Sequence, residues 1–339
     1  METVVLVINF NGISHLQECL SSLISQTYQK IKIIVIDDCS TDGGVSFINA
    51  RFPAIEVVAL KINLGFARAV NYGINYSLDK YQPVYIAILN NDTKVDKDWL
   101  KNLIVAVESE KNIAAVASNM LFYDRPNVIN SQGGKFTFVG YGLDINFNKE
   151  KLEVKNLHRY VLASCWGATL IKSESFLAVG FLDENYYSYF EDLDWGYRAN
   201  LLGYKIIFEP SALVYHKGSA TWNKYQFKKI YLCRRNSFYT ILKNYELKNI
   251  IKALPIIILD YLILYPAGYL LNRKIENGKL VQLLDSKKSF MERFKFLSIP
   301  LLAFYWNLNN LPRTLKLRKK IQKIRKISDK KIFELSKIV

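Results

Sequence analysis

Two apolar runs in this chain stop abruptly at acidic residues. Val35 and Ile36 lead into Asp37 and Asp38, and Ala87, Ile88 and Leu89 lead into Asn90, Asn91 and Asp92. An uninterrupted apolar run is how a strand buried on both faces of a parallel sheet reads. The carboxyl ends of such strands are where open α/β sheets bind ligands. Acidic groups gathered at that edge suit a divalent cation carrying a diphosphate. The surrounding pattern agrees: strands expected over residues 2–10, 32–36, 55–60 and 84–89 alternate with helices over 14–26, 46–51, 66–78 and 98–108. That alternation makes βαβ units and a mostly parallel, Rossmann-like sheet.

From about residue 112 the pattern loosens. Short strands are expected over 114–118, 136–139 and 161–163, helices over 173–178 and 192–202, and a last strand over 205–208. The organisation that follows is one α/β catalytic domain over 1–222, with a nucleotide-sugar half over 1–111 and an acceptor half over 112–222. A basic, apolar helical region over 223–339 completes it. A chain of 339 residues is long enough for such a domain and an appendage. Cys19, Cys39, Cys165 and Cys233 are scattered and form no C-x-x-C pair, which argues against zinc and redox motifs and for a reducing compartment. The first residues carry no basic stretch ahead of an apolar core, so a strand rather than a signal peptide is expected there.

Charge is strongly uneven. Residues 1–215 hold about 19 basic and 23 acidic side chains, and residues 216–339 about 27 and 7. A basic tail seeks an anionic partner. Nucleic acid would account for the charge but not for the apolar stretches at 253–271 and 294–308; a membrane accounts for both. The first stretch contains Pro255, Asp260 and Pro266, which favour lying in the interface over crossing it. Residues 313–339 are expected to form a basic helix with interspersed Leu and Ile.

Several positions carry chemistry. Asp37 and Asp38 stand at a strand end before Ser40, Thr41, Asp42 and Gly43, where a carboxylate can hold a ribose or base edge; a plain capped turn uses the same residues. Asn63 and Gly65 precede a helix, where glycine lets backbone approach a phosphate and Arg68 can reach it. Asn90, Asn91 and Asp92 offer one carboxylate and two amide oxygens to a metal–diphosphate. His216 ends another strand-like approach and is a candidate metal ligand. Glu191, Asp192 and Asp194 crowd one helical turn, and such repulsion is relieved by a cation or put to use by a general base. Among the neighbouring aromatics, Trp195 can stack on a sugar ring or pack in the core. No G-x-G-x-x-G or G-x-x-x-x-G-K-[ST] occurs, which excludes the ordinary dinucleotide and P-loop readings.

In their order along the chain these stretches resemble the family 2 glycosyltransferases, which have the GT-A fold. Residues 7–12 resemble the family's first strand and turn. Residues 37–43 are similar to its D-[DN]-x-S-x-D-G motif, 63–71 to N-x-G-x-x-x-A-x-N, and 90–92 to its D-x-D position. Gly167 and Ala168, residues 180–184, the Glu191–Asp192 pair with Asp194, and Pro210 with His216 complete the series over about residues 3–220. The resemblance implies an inverting transfer from a nucleoside-diphosphate sugar to a glycan or lipid-linked acceptor. Asn9, Phe10, Asp37, Asp38, Asn63, Gly65, Arg68, Asn90 and Asn91 would lie on the donor side, and Trp166, Glu191, Asp194 and Trp195 on the acceptor side. Asp92 and His216 would hold Mg2+ or Mn2+, and Asp192 would be the general base. Asn90 stands where many members have Asp, as in members resembling rhamnosyltransferases. The absence of Q-x-x-R-W argues against a processive synthase. By the same resemblance the protein would work on the cytoplasmic face of the cell membrane, with no nucleic-acid partner. Competing readings are an inactive membrane-bound glycan-binding scaffold and a sugar nucleotidyltransferase. The latter lacks its Gly-rich activating loop here.

Overall fold

The computed structural model describes residues 2–153, 160–218, 226–270, 273–276, 279–282 and 295–337. Two compact units divide the chain. Met1–Thr137, Gly142–Ala220 and Arg325–Val339 form the first, and Phe138–Tyr141 with Thr221–Ile324 the second.

In the first unit β1 (Thr3–Asn9), β2 (Ile31–Asp37), β3 (Glu56–Ala59) and β4 (Tyr85–Asn90) alternate with α1 (Ile13–Ile24), α2 (Gly44–Arg51) and α3 (Phe66–Tyr81). All four strands run parallel, in the order β3-β2-β1-β4. Every residue of β1 is buried, because helices cover both faces of the sheet. Val5 and Val7 pack with Leu16, Leu20 and Trp99 on one side, while Val4 and Leu6 pack with Val70, Ile74 and Phe176 on the other. Burial on both faces explains why the strands read as unbroken apolar runs. The register sets Asn9 beside Asp37 and Ile8 beside Asn90, so three strands end together.

The rest of the unit comprises β5 (Thr93–Val95), α4 (Trp99–Glu108), β6 (Ile113–Phe122), β7 (Ile129–Ser131), β8 (Gly134–Phe136), β9 (Gly142–Asp144), β10 (Tyr160–Val161), β11 (Ala168–Lys172), α5 (Ser173–Val179), α6 (Glu191–Leu201) and β12 (Lys205–His216). β11 inserts antiparallel between β4 and β6, and β12 lies parallel to β6. The result is a mixed, mostly parallel ten-stranded sheet in an α/β fold. Two expectations change. The strand expected to end at residue 208 continues to His216, with a register shift between Glu209 and Leu213. Pro210 lies in that shift, and a residue without an N–H is tolerated in a ladder at such a bulge. The strand expected over 136–139 stops at Phe136, where the ladder of β8 with β9 ends at the Phe136–Gly142 pair.

The second unit holds α7 (Gln226–Asn244), α8 (Leu247–Leu259), a π-helical turn (Asp260–Leu264), α9 (Tyr265–Leu270), a ribbon of β13 (Arg273–Glu276) and β14 (Lys279–Gln282), and helices Ile299–Asn309 and Leu311–Ile324. Among the described residues one helix, Leu247–Gly268, is long and apolar enough to cross a bilayer, with mean hydropathy 1.8. Core helices of soluble proteins meet the same criterion.

The region expected to run from 223 to 339 as one appendage is divided. Its helix over 313–339 breaks after Ile324, and Asp329–Lys337 belongs to the first unit. Lys326 and Ile327 donate their backbone N–H groups to the Leu201 carbonyl at 2.8 and 3.1 Å, and those bonds take the chain out of the helical path. The expected boundary at 222, and the ends of the apolar stretches at 271 and 294, lie outside the described residues.

Candidate active site

The carboxyl ends of β1, β2 and β4 carry a continuous polar network. Asn9 is buried and donates Nδ2–H to Asp37 Oδ1 at 2.6 Å, while its Oδ1 accepts from Asn91 Nδ2 at 2.6 Å. Ser40 closes the turn on Asp37 through its N–H at 2.9 Å and its hydroxyl at 2.6 Å. Asp37 is therefore a brace for the turn, and its oxygens are engaged within the chain. Gly12 is required by this network, since a Cβ there would come within 1.8 Å of Asn91 Nδ2.

Asp38 accepts the N–H groups of Leu64 at 2.7 Å and Gly65 at 2.9 Å, and Asn63 donates Nδ2–H to the Asp38 carbonyl at 3.1 Å. Burial pushes the Asp38 carboxyl up, against the pull of the two N–H groups. Gly65 has φ +78°, and a Cβ there would lie 2.7 Å from the Tyr187 ring. Glycine is the residue for such a conformation and such an approach. Phe10 follows β1 with 43 % of its surface exposed. Arg68 is half exposed and pairs with Glu184 at 3.2 Å. Asn90 donates its N–H to the Gly167 carbonyl at 2.9 Å, tying β4 to the segment that enters β11.

Asp92 and His216 meet. His216 Nε2 lies 3.3 Å from Asp92 Oδ1, because β12 reaches far enough to set His216 opposite Thr93 of β5. On the other side of the ring His216 Nδ1 lies 2.9 Å from Asn130 Oδ1. With Nδ1–H donated to that amide, Nε2 keeps its lone pair for a cation. Such outer support fixes the tautomer of metal-ligating histidines. Among the described residues no cluster of three or more His, Cys, Asp or Glu side chains is poised around a metal. The pair alone fits Mg2+ or Mn2+ that takes its remaining ligands from a diphosphate and water.

Glu191 and Asp192 open α6 after a strained approach, with Tyr187, Tyr189 and Phe190 all at φ between 64° and 71°. Backbone strain of this kind gathers at functional sites. Asp192 is half-buried and accepts its neighbour Leu193 N–H at 2.7 Å. Burial raises its carboxyl to about 6 and Asp144 adds to the rise, while the backbone N–H groups of Leu193 and Trp166 oppose it. The Trp166 contact connects the carboxylate to Gly167 and so to Asn90. Glu191 is buried, and its Oε2 has no hydrogen-bond partner. Desolvation, then the Asp192 charge, hold its carboxyl well above the usual range.

Two expected acceptor-side residues do not reach this cleft. Asp194 is fully buried and pairs with Arg198 at 2.9 Å. Arg198 also donates to the Val179 and Phe181 carbonyls at 2.7 and 2.9 Å. Trp195 is fully buried against Phe176 and donates Nε1–H to the Gly180 carbonyl at 2.9 Å. Both are structural; the i,i+4 spacing of Asp194 and Arg198 was the available signal. Trp166 is buried too, its ring packed on Trp195 and its backbone serving the site. Asn130 and Asp144 were not foreseen, since they lie in segments with no periodic pattern.

The model of glycosyl transferase family 2 matches residues 4–176. The chain belongs to that family. As a family member it is 32 % identical over 117 residues to an uncharacterized glycosyltransferase of Haemophilus influenzae, matching 34 % of this chain and 35 % of that protein. It is 27 % identical over 206 residues to the poly-beta-1,6-N-acetyl-D-glucosamine synthase of Staphylococcus epidermidis, 60 % of this chain and 47 % of that one. The chain thus spans about a third to a half of these relatives' lengths. It is 25 % identical over 240 residues to the N-acetylglucosaminyl-diphospho-decaprenol L-rhamnosyltransferase of Mycobacterium tuberculosis, 64 % and 76 % of the two chains. The fold is that of a mannosyltransferase from Pyrobaculum calidifontis solved with GDP-Man and Mn2+, with TM-score 0.54, 14 % identity and 91 % and 87 % coverage. S. aureus TarS 1–349 in complex with UDP also shares it, with TM-score 0.54, 16 % identity and 99 % and 89 % coverage.

Proposed function

We propose that this chain is an inverting glycosyltransferase moving a sugar from a nucleoside-diphosphate sugar to a hydroxyl of a glycan or lipid-linked glycan. One observation carries the reading: the Asp92–His216 pair and the half-buried Asp192 belong to one connected edge. Asn90 and Asn91 lead from Asp92 to Asn9, and Gly167 and Trp166 lead from Asn90 to Asp192. Phe10 offers an exposed ring to the base, Asp38 holds the Asn63–Gly65 loop against the ribose and phosphates, and Arg68, half exposed beside Glu184, supplies a cation. Asp92 and His216 would hold Mg2+ or Mn2+, which when bound offsets the charge growing on the departing diphosphate. Asp192 takes the acceptor's hydroxyl proton as that oxygen attacks the anomeric carbon. The bond to the diphosphate breaks on the opposite face, and the configuration inverts. A carboxyl raised to about 6 is ionised at neutral pH yet a better base than an ordinary aspartate. A relative named for transfer to a diphospho-decaprenol supports a lipid-linked acceptor. The basic C-terminal region supports attachment to an anionic membrane, taken here to be its cytoplasmic face.

The test is release of nucleoside diphosphate from a panel of nucleotide sugars with Mg2+ or Mn2+ and lipid-linked acceptors. Metal-dependent release from one donor, abolished in Asp192→Asn with donor binding retained, is the expected result. Full turnover in Asp192→Asn would remove this residue from the base role. Absence of both release and donor binding would favour a scaffold.

A further inference from the structure

The helical second unit buries several amide, hydroxyl and basic side chains among its apolar core and leaves many aliphatic ones exposed. Asn236, Thr240, Asn244 and Thr314 are fully buried, and Lys243 and Asn307 are 1 % exposed. Several of these groups are bonded within the unit. Asn307 donates to the Arg235 carbonyl at 3.1 Å, Arg235 Nε donates to Asn236 Oδ1 at 2.8 Å, and the Arg235 guanidinium lies 4.4 Å from the Trp306 ring centre. Gln322 donates to the Asn244 carbonyl at 3.0 Å.

The exposed aliphatic side chains lie on the outward faces. In α8 and its continuation the buried positions recur every fourth residue, at Asn249, Ala253, Ile257, Tyr261 and Tyr265. A fourth-residue stripe drifts about 40° per step around an α-helix at 3.6 residues per turn. The wider π turn at Asp260–Leu264 slows that rotation and keeps Tyr261 and Tyr265 on the inner side. Outside, Ile251 is 62 % exposed, Leu262 59 % and Ile263 56 %. The Ile299–Asn309 helix repeats the arrangement: Ile299, Ala303 and Asn307 face in, while Leu301 and Tyr305 are 63 % and 65 % exposed. Directly after it, Leu311–Ile324 carries Arg313, Lys316, Lys319 and Lys320 exposed and no acidic residue.

We infer that this unit seats in one leaflet of an anionic bilayer, with the outer faces of residues 255–268 and of Ile299–Asn309 among the acyl chains, and with the exposed Lys248, Lys252 and the basic helix among the headgroups. This rests on the membrane attachment proposed above and adds its mode. Water disfavours so many aliphatic side chains left exposed on two neighbouring helices, whereas hydrocarbon accommodates them, and a basic helix beside them suits anionic headgroups. A second copy is a poor occupant for the face, since two strongly basic units repel. The inner stripe argues against crossing, since it carries charge and hydroxyl to the middle of the helix: Asp260 pairs with Arg234 of α7, and the Tyr261 hydroxyl donates to the Arg234 carbonyl at 2.7 Å. The helix is thereby held along one face to its own unit.

The experiment is flotation of the full chain with sealed vesicles of phosphatidylcholine, alone or mixed with phosphatidylglycerol, at low and high salt. Binding should be stronger to the anionic vesicles and should persist in high salt. A Leu262→Ser, Ile263→Ser, Leu301→Ser, Tyr305→Ser variant should lose at least tenfold of the salt-resistant binding with its melting temperature unchanged. A Lys316→Gln, Lys319→Gln, Lys320→Gln variant should lose only the preference for anionic lipid. In a Tyr305→Trp reporter, acyl-brominated lipids should quench emission, which tests insertion even if the serine variant misfolds. Tags at both chain ends should remain open to protease outside the vesicle. No flotation with either lipid would sink membrane attachment itself. Binding that salt removes, with no quenching, would leave attachment standing and overturn insertion. A protease-protected C-terminal tag would overturn the single-leaflet placement.

Discussion

Two adjacent carboxyls at the start of α6 are both raised by their surroundings. Burial, then the Asp192 charge, holds Glu191 well above the usual carboxylate range, and burial raises Asp192 to about 6. Transferase activity should therefore fall as pH drops through about 6, measured as kcat/KM against pH. Glu191→Gln preserves a neutral, hydrogen-bonding group and should stay within about tenfold of the parent with its acidic limb unmoved. A limb displaced to lower pH would mean that Glu191 is ionised and had been raising Asp192. The raised Asp192 carboxyl also bears on stability. Below about pH 4 folded and unfolded chains both carry the proton, and nothing is lost. Above about 6 the folded protein holds a disfavoured carboxylate, and the whole penalty is present. Asp192→Asn should stabilise the fold by ~1–3 kcal/mol at pH 8 and by almost nothing at pH 4, read from paired melting curves. At this scale the sequence was legible where a residue type stands at a strand end, as with Asp38, Asp92 and His216. It was not legible where a helix's rotation decides the matter. Three carboxylates on one turn look equivalent, yet the turn points Asp194 into the core towards Arg198 and leaves Asp192 half-buried.

Elements differ in how plainly they announce themselves. The parallel strands β1, β2 and β4 are buried on both faces, so solvent cannot imprint an alternating pattern and each reads as an apolar run that stops at the polar carboxyl edge of the sheet. β12 is the opposite case. Its run is interrupted by Glu209, Pro210 and Ser211, and only pairing with β5 and β6 carries it on to His216. β7 is short and aperiodic, yet it supplies Asn130 to the far side of the His216 ring. Asn130→Ala should weaken Mn2+ affinity by about 10–100-fold, measured by calorimetry with nucleoside diphosphate present, while leaving the melting curve close to the parent. The Asn63–Gly65 turn is as exacting. Gly65→Ala forces a side chain into φ +78° and against the Tyr187 ring, at a cost of about 1–3 kcal/mol. The same change disturbs the two N–H groups that grip Asp38, so donor affinity should drop with stability. Unaltered donor binding would separate this turn from the donor site.

Each of the two units is built from segments that are not consecutive in the chain. Composition suggested a catalytic domain followed by a basic appendage, because charge and hydropathy both change near residue 216. A window average cannot register that the chain comes back, and Arg325–Val339 rejoins the first unit. The return is anchored at Asp329, which is fully buried and accepts from the Tyr197 hydroxyl at 2.9 Å and from Arg325 Nη1 at 2.7 Å. Ile332 beside it is also fully buried. Asp329→Ala leaves the Arg325 cation, which is 11 % exposed, without this partner. Removing one member of a buried pair typically destabilises by about 3–5 kcal/mol, since the remaining charge stays desolvated. The melting temperature should fall by several degrees, and removing everything after Tyr245 should destabilise the catalytic unit as well as abolish membrane recovery. If the truncated chain instead melts like the parent, the returning helix contributes no stability. Membrane attachment and the integrity of the catalytic unit would then be separable by cutting at one point.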